Sequence, residues 1–292
     1  MLFLLFSILC TAMLVLTFKV FERKGIPIFQ AIVFNYLAAT VCAFVFLPDK
    51  APVYSGSILH EPWLPFALLL GSMFIIVFNL TSITTVRYGV STASVAMKLG
   101  LVFPVMLAFV IYGENFSLLK LAGILFAFVS VILSSLRSGE SHSSSTSAFA
   151  VLPLVVFLGS GMCDSFTQYA NKTYLAQKGM EEFSFFLFVA AAFFGVCMLT
   201  FQLLAGKSTI KLNSLIGGVI LGVINYFSFL FILKALATVS WGSSVVFPIS
   251  NLGTVVVATL AGILFFNEKL SKANAIGLLR AGISILLIVF SN

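Results

Sequence analysis

Histidine is nearly absent: His60 and His142 both fall in polar stretches between apolar runs, so neither is placed to move protons or hold a metal at membrane depth. Charge is scarce as well, since Asp, Glu, Lys and Arg make up 9% of the 292 residues, against about 25% in a soluble domain. Cys10, Cys42, Cys163 and Cys197 all lie inside apolar runs and form neither a CxxC pair nor a loop framework. They read as small buried hydrophobes rather than disulfide partners or metal ligands. There is no GxxxxGK[ST] loop, no Ser-His-Asp set and no His/Asp/Glu cluster at metal spacing. No catalytic residue, cofactor or metal is therefore expected, and an enzyme is not the reading.

What remains is apolar. Hydrophobic residues make up 61% of the chain and the mean hydropathy is +1.16, more apolar surface than one soluble core can bury. Runs of the roughly 20 residues that cross about 30 Å of hydrocarbon as a helix recur at 2–20, 28–47, 63–86, 90–112, 117–136, 149–171, 183–204, 214–236, 240–266 and 273–290. The first run has no basic residue before it and no small-residue cleavage site, and it is too long for a signal core, so it counts as a span rather than a removed signal. The net charge of +7 comes from Lys and Arg scattered singly near run ends. Such residues orient helices and reach for headgroups. The partner they imply is the lipid bilayer, and no nucleic acid is expected.

The least apolar stretch, the Ser-rich 137–148, has the composition of a flexible linker and cuts the chain nearly in half. The halves echo each other. GENFSLLKLAG at 113–123 matches NEKLSKANAIG at 267–277, pairing Glu114 with Glu268, Ser117 with Ser271 and Gly123 with Gly277. The matched Glu follows the fourth span in one half and the ninth in the other. An odd separation of five spans inverts the second copy, an architecture that puts a substrate site at the repeat interface in many secondary transporters. The expected fold is all-α integral membrane, with ten transmembrane helices as two inverted five-helix repeats: 1–136, the linker 137–148, and 149–292.

The ten-run layout, the paired halves, the Gly113-Glu114 and Asn267-Glu268 steps each followed by Ser and then Gly, and Phe247-Pro248 early in the ninth run resemble the drug/metabolite transporter superfamily, within it the EamA-like branch. The resemblance implies a carrier of small molecules such as amino acids in a bacterial inner membrane. It also implies a central cavity lined by spans one, three, four, six, eight and nine. One departure is that residues 2–20 lack the membrane-embedded Glu of the small multidrug-resistance relatives, which argues against export of lipophilic cations.

Polar groups inside the runs are the candidate site, because a charge at membrane depth is retained where it faces protein or water. Lys98 follows the small-residue stretch STASVAM and precedes Leu99-Gly100 and Pro104. Helix rise puts it roughly 12 Å below the linker-side face and Asp164 roughly 20 Å below it. By that count a direct meeting of the two needs a bent span or shifted span boundaries. Lys98 is expected to bind an anionic substrate group, with a structural ion pair as the other reading. Asp164 is the one of nine acidic residues clearly inside a run, and it is expected to couple a proton or to serve as a counter-ion. Asn79, Gln168, Asn225, Tyr226 and Asn251 form a second tier, each of which could instead simply bond a neighbouring helix. Arg280 is expected to reach back to the interface, and Lys19, Arg87, Lys172 and Lys234 to anchor span ends.

The function expected is a secondary transporter of a small polar or anionic metabolite, working by alternating access with proton coupling at Asp164. The alternatives are strict exchange of phosphorylated or nucleotide-linked metabolites and, from another class, a non-transporting scaffold or channel. A monomer is compatible with this reading. Loops after odd spans hold Lys19, Arg23, Lys24, Arg87, Arg137, Lys207, Lys211, Lys269 and Lys272, and those after even spans Lys50, Lys120, Lys172, Lys178 and Lys234. That bias places the termini outside the cytoplasm, whereas the resemblance implies termini inside. In both arrangements the termini share one side and the linker lies on the other.

Overall fold

The computed structural model describes residues 2–100, 102–104, scattered positions between 106 and 129, 151–175, 179–238, 243–267 and 272–290. Most of the expected fifth span, the linker, and Glu114, Ser117, Glu268 and Ser271 lie outside the described residues. The described elements are helical: α1 (Leu2–Arg23), α2 (Ile28–Val45), the short α3 (Ala51–Ser55), α4 (Leu64–Tyr88), α5 (Val90–Leu99), α6 (Val151–Thr173), α7 (Met180–Leu204), α8 (Leu212–Thr238), α9 (Ser243–Phe266) and α10 (Lys272–Phe290). Among the described residues, seven helices, α1, α2, α4 and α6 to α9, are long and apolar enough to cross a membrane. This is a multi-pass membrane protein. The α2–α4 connection, expected as a plain loop, contains α3 and a 3-10 turn at Ser57–His60.

Local chemistry ends the helices where the sequence punctuates them. Gly25 closes α1 at φ 62°, with Ile26 N–H bonded to Phe21 O (2.9 Å) and Gly25 N–H to Glu22 O (3.1 Å). A left-handed glycine satisfies the last carbonyls of a helix in this way, and Pro27 then starts α2. Gly206 (φ 67°) repeats the motif at the end of α7, with Lys207 N–H on Gln202 O (2.9 Å).

Specific contacts sort the helix ends onto two faces. On one, the Arg23 guanidinium donates to Phe266 O (2.6 Å) and Phe265 O (3.4 Å) and sits 4.7 Å from the Phe266 ring centroid. It joins the end of α1 to the end of α9. Gln30, at the start of α2, donates to Ser208 Oγ and Thr209 O (both 2.7 Å) and accepts from Lys211 N–H (3.2 Å), so the α7–α8 turn lies on this Arg23 face. On the other, Trp63 meets Phe183 edge-on (5.9 Å), Phe66 meets Tyr174 (5.5 Å), and Lys234 pairs with Glu181 (3.5 Å). The ends of α2, α6 and α8 therefore share the Trp63 face. The direction of α1 is toward the Arg23 face, and that of α6 is away from it.

In a bilayer there is little hydrophobic drive between helices, and close packing of small residues takes its place. α2 packs on α8 and α7, α4 on α7 and α6, α1 on α8 and α9, α5 on α9 and α6, and α10 on α9 and α5. Two crossings are backbone-tight. A Cβ placed on Gly71 of α4 would lie 2.8 Å from Ala190 Cβ and 3.1 Å from Ala191 N of α7. One placed on Gly222 of α8 would lie 2.7 Å from Ala38 Cβ and 3.1 Å from Ala39 N of α2. Between these crossings the core is aromatic, built around Phe18, Tyr36, Phe183 and Phe188, all buried.

Candidate functional site

The site grows from the end of α5, where Gly100 O accepts Phe103 N–H (3.0 Å) in a tighter turn. Pro104 has no N–H to offer Gly100, so the carbonyl takes the donor one residue nearer. At that turn α5 meets α6, since a Cβ on Gly100 would lie 2.6 Å from Gly161 N and one on Gly161 2.7 Å from Gly100 O. The crossing levels residue 100 with residue 161. Lys98 stands two residues before it and Asp164 three residues after, and both helices point away from the Arg23 face.

Lys98 and Asp164 line one cavity of about 150 Å³ and lie within Coulombic range of each other. Counted from the Gly100–Gly161 level, five residues of helix rise separate the two, roughly 7.5 Å, a gap that the four-carbon stem of Lys narrows. Both side chains are half-buried, as groups facing a cavity rather than a packed core are. The wall comes from α1, α4, α5, α6, α8 and α9, with Tyr36 added by α2. Three of those six helices precede residue 137 and three follow residue 148.

The neutral groups divide into donors and acceptors. Asn225 of α8 and Asn251 of α9 line the cavity, and the amide nitrogen of each is buried without a hydrogen-bond partner among the described residues. Buried donors are nearly always satisfied, so two orphaned ones on a single wall call for an acceptor. The hydroxyls do the reverse. Thr11 donates to Ser7 O (2.7 Å), Thr81 to Val77 O (2.8 Å), Ser160 to Val156 O (2.7 Å) and Thr167 to Cys163 O (2.8 Å). Each spends its proton on its own helix and turns lone pairs outward. Thr11 Oγ1 also meets Ser228 Oγ at 2.7 Å, tying α1 to α8 at the wall.

The other sequence candidates lie elsewhere. Asn79 donates to Ile75 O (2.8 Å) and lines a separate recess toward lipid. Gln168 is half-buried on α6, next to Thr167 but outside the cavity wall. Tyr226 is buried, stacked on Phe46 (5.8 Å, 15°), with its hydroxyl away from the cavity and without a partner among the described residues. Cys163, read as a plain hydrophobe, faces the cavity. Tyr36 reaches the cavity from α2, and nothing in the sequence sets it apart from the other buried aromatics. Arg280 is half-buried on α10, apart from the site.

No protein-family model matches the chain. An uncharacterized protein of Haemophilus influenzae is 31% identical over 280 residues, covering 94% of this chain and 93% of its own. The chain belongs to that protein's family. A protein of known crystal structure, 18% identical, superposes with a TM-score of 0.62 over 98% of this chain and 94% of its own. At that identity the likeness speaks for the fold alone.

Proposed function

We propose that this protein is a secondary transporter of the EamA-like branch of the drug/metabolite transporter superfamily, with ten spans in a bacterial inner membrane. Its substrate is a small polar or anionic metabolite such as an amino acid, most simply exported, moved by alternating access with proton coupling. The observation that carries this reading is the convergence of Lys98, Asp164 and the orphaned amides of Asn225 and Asn251 on one cavity. Lys98 and the two amides offer donors to a carboxylate; Asp164 and the hydroxyl lone pairs offer acceptors to an amine.

The inverted repeat has its own support. α1 and α6, which open the two halves, run in opposite directions between the faces. Exchanging the halves turns the packing of α1 on α8 into that of α6 on α4, α2 on α8 into α7 on α4, and α1 on α9 into α6 on α5. The tight crossings exchange too: Gly71 against Ala190 becomes Gly222 against Ala38, and Gly100 against Gly161 becomes Gly253 against Ile8. Bistable packing of such halves about a shared cavity is the route of alternating access.

The competing readings fare less well. A cavity near 150 Å³ matches one that takes a benzene-sized guest, too small for a nucleotide-linked metabolite. A channel filter repeats one ligand around an axis, whereas these residues are single and unlike. A scaffold has no use for Lys98 and Asp164 in a shared cavity.

Uptake of radiolabelled small carboxylates into proteoliposomes, with and without a pH gradient, tests the proposal. Saturable uptake accelerated by the gradient is expected. Uptake that requires substrate inside would make the protein a strict exchanger, and absence of uptake across the panel would refute the carrier.

A further inference from the structure

A second recess, of about 480 Å³, opens between the start of α2, the second half of α4 and the end of α7 at the Arg23 face. It is larger than the central cavity and does not share its wall. Its rims are bare apolar side chains: Ile76 is 57% exposed, Met198 47% and Ile83 40%. In a membrane protein such a rim faces acyl chains.

The recess is not purely apolar. Asn79 and Gln202 lie in its wall, and the exposed Arg87 stands at its outer end, in the last turn of α4. Eight residues separate Asn79 from Arg87, so the recess runs roughly 12 Å inward from headgroup level. Among the described residues, Arg87 is the one charged group in the recess wall. Lys207 and Lys211 are exposed in the turn that follows α7. Among the described residues the one carboxylate on this face, Glu22, pairs with Lys19 (2.5 Å). Asp49, Glu61, Glu181 and Glu182 belong to the opposite face, at the ends of α2, α4 and α7.

We propose that this recess is a binding site for an anionic phospholipid, its phosphate on Arg87 and one acyl chain laid inward along α4 toward Asn79. The argument is charge complementarity combined with place. A guanidinium at headgroup level pairs with a phosphate through two parallel hydrogen bonds, basic residues beside the membrane attract anionic lipids, and the apolar recess continues inward where the chain must go. The inference is independent of the transport reading.

The full-length protein in nanodiscs of phosphatidylcholine mixed with phosphatidylglycerol, read by native mass spectrometry of retained lipid, tests it. Wild type should retain phosphatidylglycerol in preference to phosphatidylcholine. Arg87→Gln should lower that preference roughly fivefold, the scale of one basic residue at an anionic surface, while Arg87→Lys keeps most of it. Ile76→Trp, which fills the recess with Arg87 intact, should lower phosphatidylglycerol retention as well. Glycerol 3-phosphate should not compete, because it lacks the chain. Equal retention of the two lipids, an unchanged preference in Arg87→Gln, or displacement by glycerol 3-phosphate would each overturn the site.

Discussion

Gly100 of α5 lies against Gly161 of α6 so closely that a Cβ on the first would sit 2.6 Å from the backbone nitrogen of the second. Lys98 and Asp164 flank this contact, so their relative depth is set by backbone against backbone rather than by side chains that could readjust. Both residues line the same cavity, and a charge inside a membrane span is tolerated where it faces protein or a water-filled space.

Asp164→Asn keeps the shape of the side chain and removes its ionisation. A group that loads a proton on one side and releases it on the other must ionise as its solvation changes. The variant should lose pH-gradient-driven transport and keep substrate-for-substrate exchange, both measured in proteoliposomes. Gradient-driven uptake that survives would make Asp164 structural.

Asn251→Leu replaces an orphaned buried amide by an apolar group of similar size. A buried unsatisfied donor costs about 1–3 kcal/mol, so the empty protein should melt higher in detergent. Substrate affinity should fall by about tenfold, a loss of about 1.4 kcal/mol. A variant that is both less stable and fully active would show that the amide serves packing alone.

Gly71→Ala and Gly222→Ala should behave alike. Each drives a methyl group to within 2.8 Å or less of an Ala Cβ on the facing helix, an overpacking that costs typically 1–3 kcal/mol. Thermal unfolding in detergent should show comparable losses for the two. A loss confined to one would break the proposed equivalence of the halves.

In a cysteine-free background, Lys207→Cys and Ser57→Cys mark the Arg23 and Trp63 faces, both at exposed positions. A membrane-impermeant maleimide should reach the two from opposite sides of the bilayer, and the side on which Lys207→Cys reacts fixes the orientation. Labelling of both from one side would contradict the helix directions described here.

Much of this was legible in the sequence because hydrocarbon penalises exceptions. Helices such as α4 and α7 follow from the apolar runs, and Lys98, Asp164, Asn225 and Asn251 declared themselves as polar groups where polar groups are costly. Thr11, Thr81 and Thr167 did not, since a hydroxyl that bonds its own helix is cheap at any depth and carries no sign of which way its lone pairs point. The relative depth of Lys98 and Asp164, roughly 8 Å by residue count from the run ends, agrees with the five residues of rise counted from the Gly100–Gly161 contact. Asn79 and Tyr226 show the converse: an amide or phenol inside an apolar run can face lipid or pack on rings, and only the helix arrangement distinguishes these from a cavity.

The central claim is that Lys98 binds the anionic group of a transported substrate. Counterflow of radiolabelled small carboxylates into proteoliposomes holding wild type or Lys98→Ala, with folding checked by thermal unfolding in detergent, tests it most directly. The account predicts that at least one carboxylate accumulates through wild type, that Lys98→Ala folds normally but does not accumulate it, and that Lys98→Arg restores only part, since a planar fork does not replace a point charge at fixed depth. Equal accumulation through wild type and Lys98→Ala, or a Lys98→Ala protein that fails to fold, would contradict it.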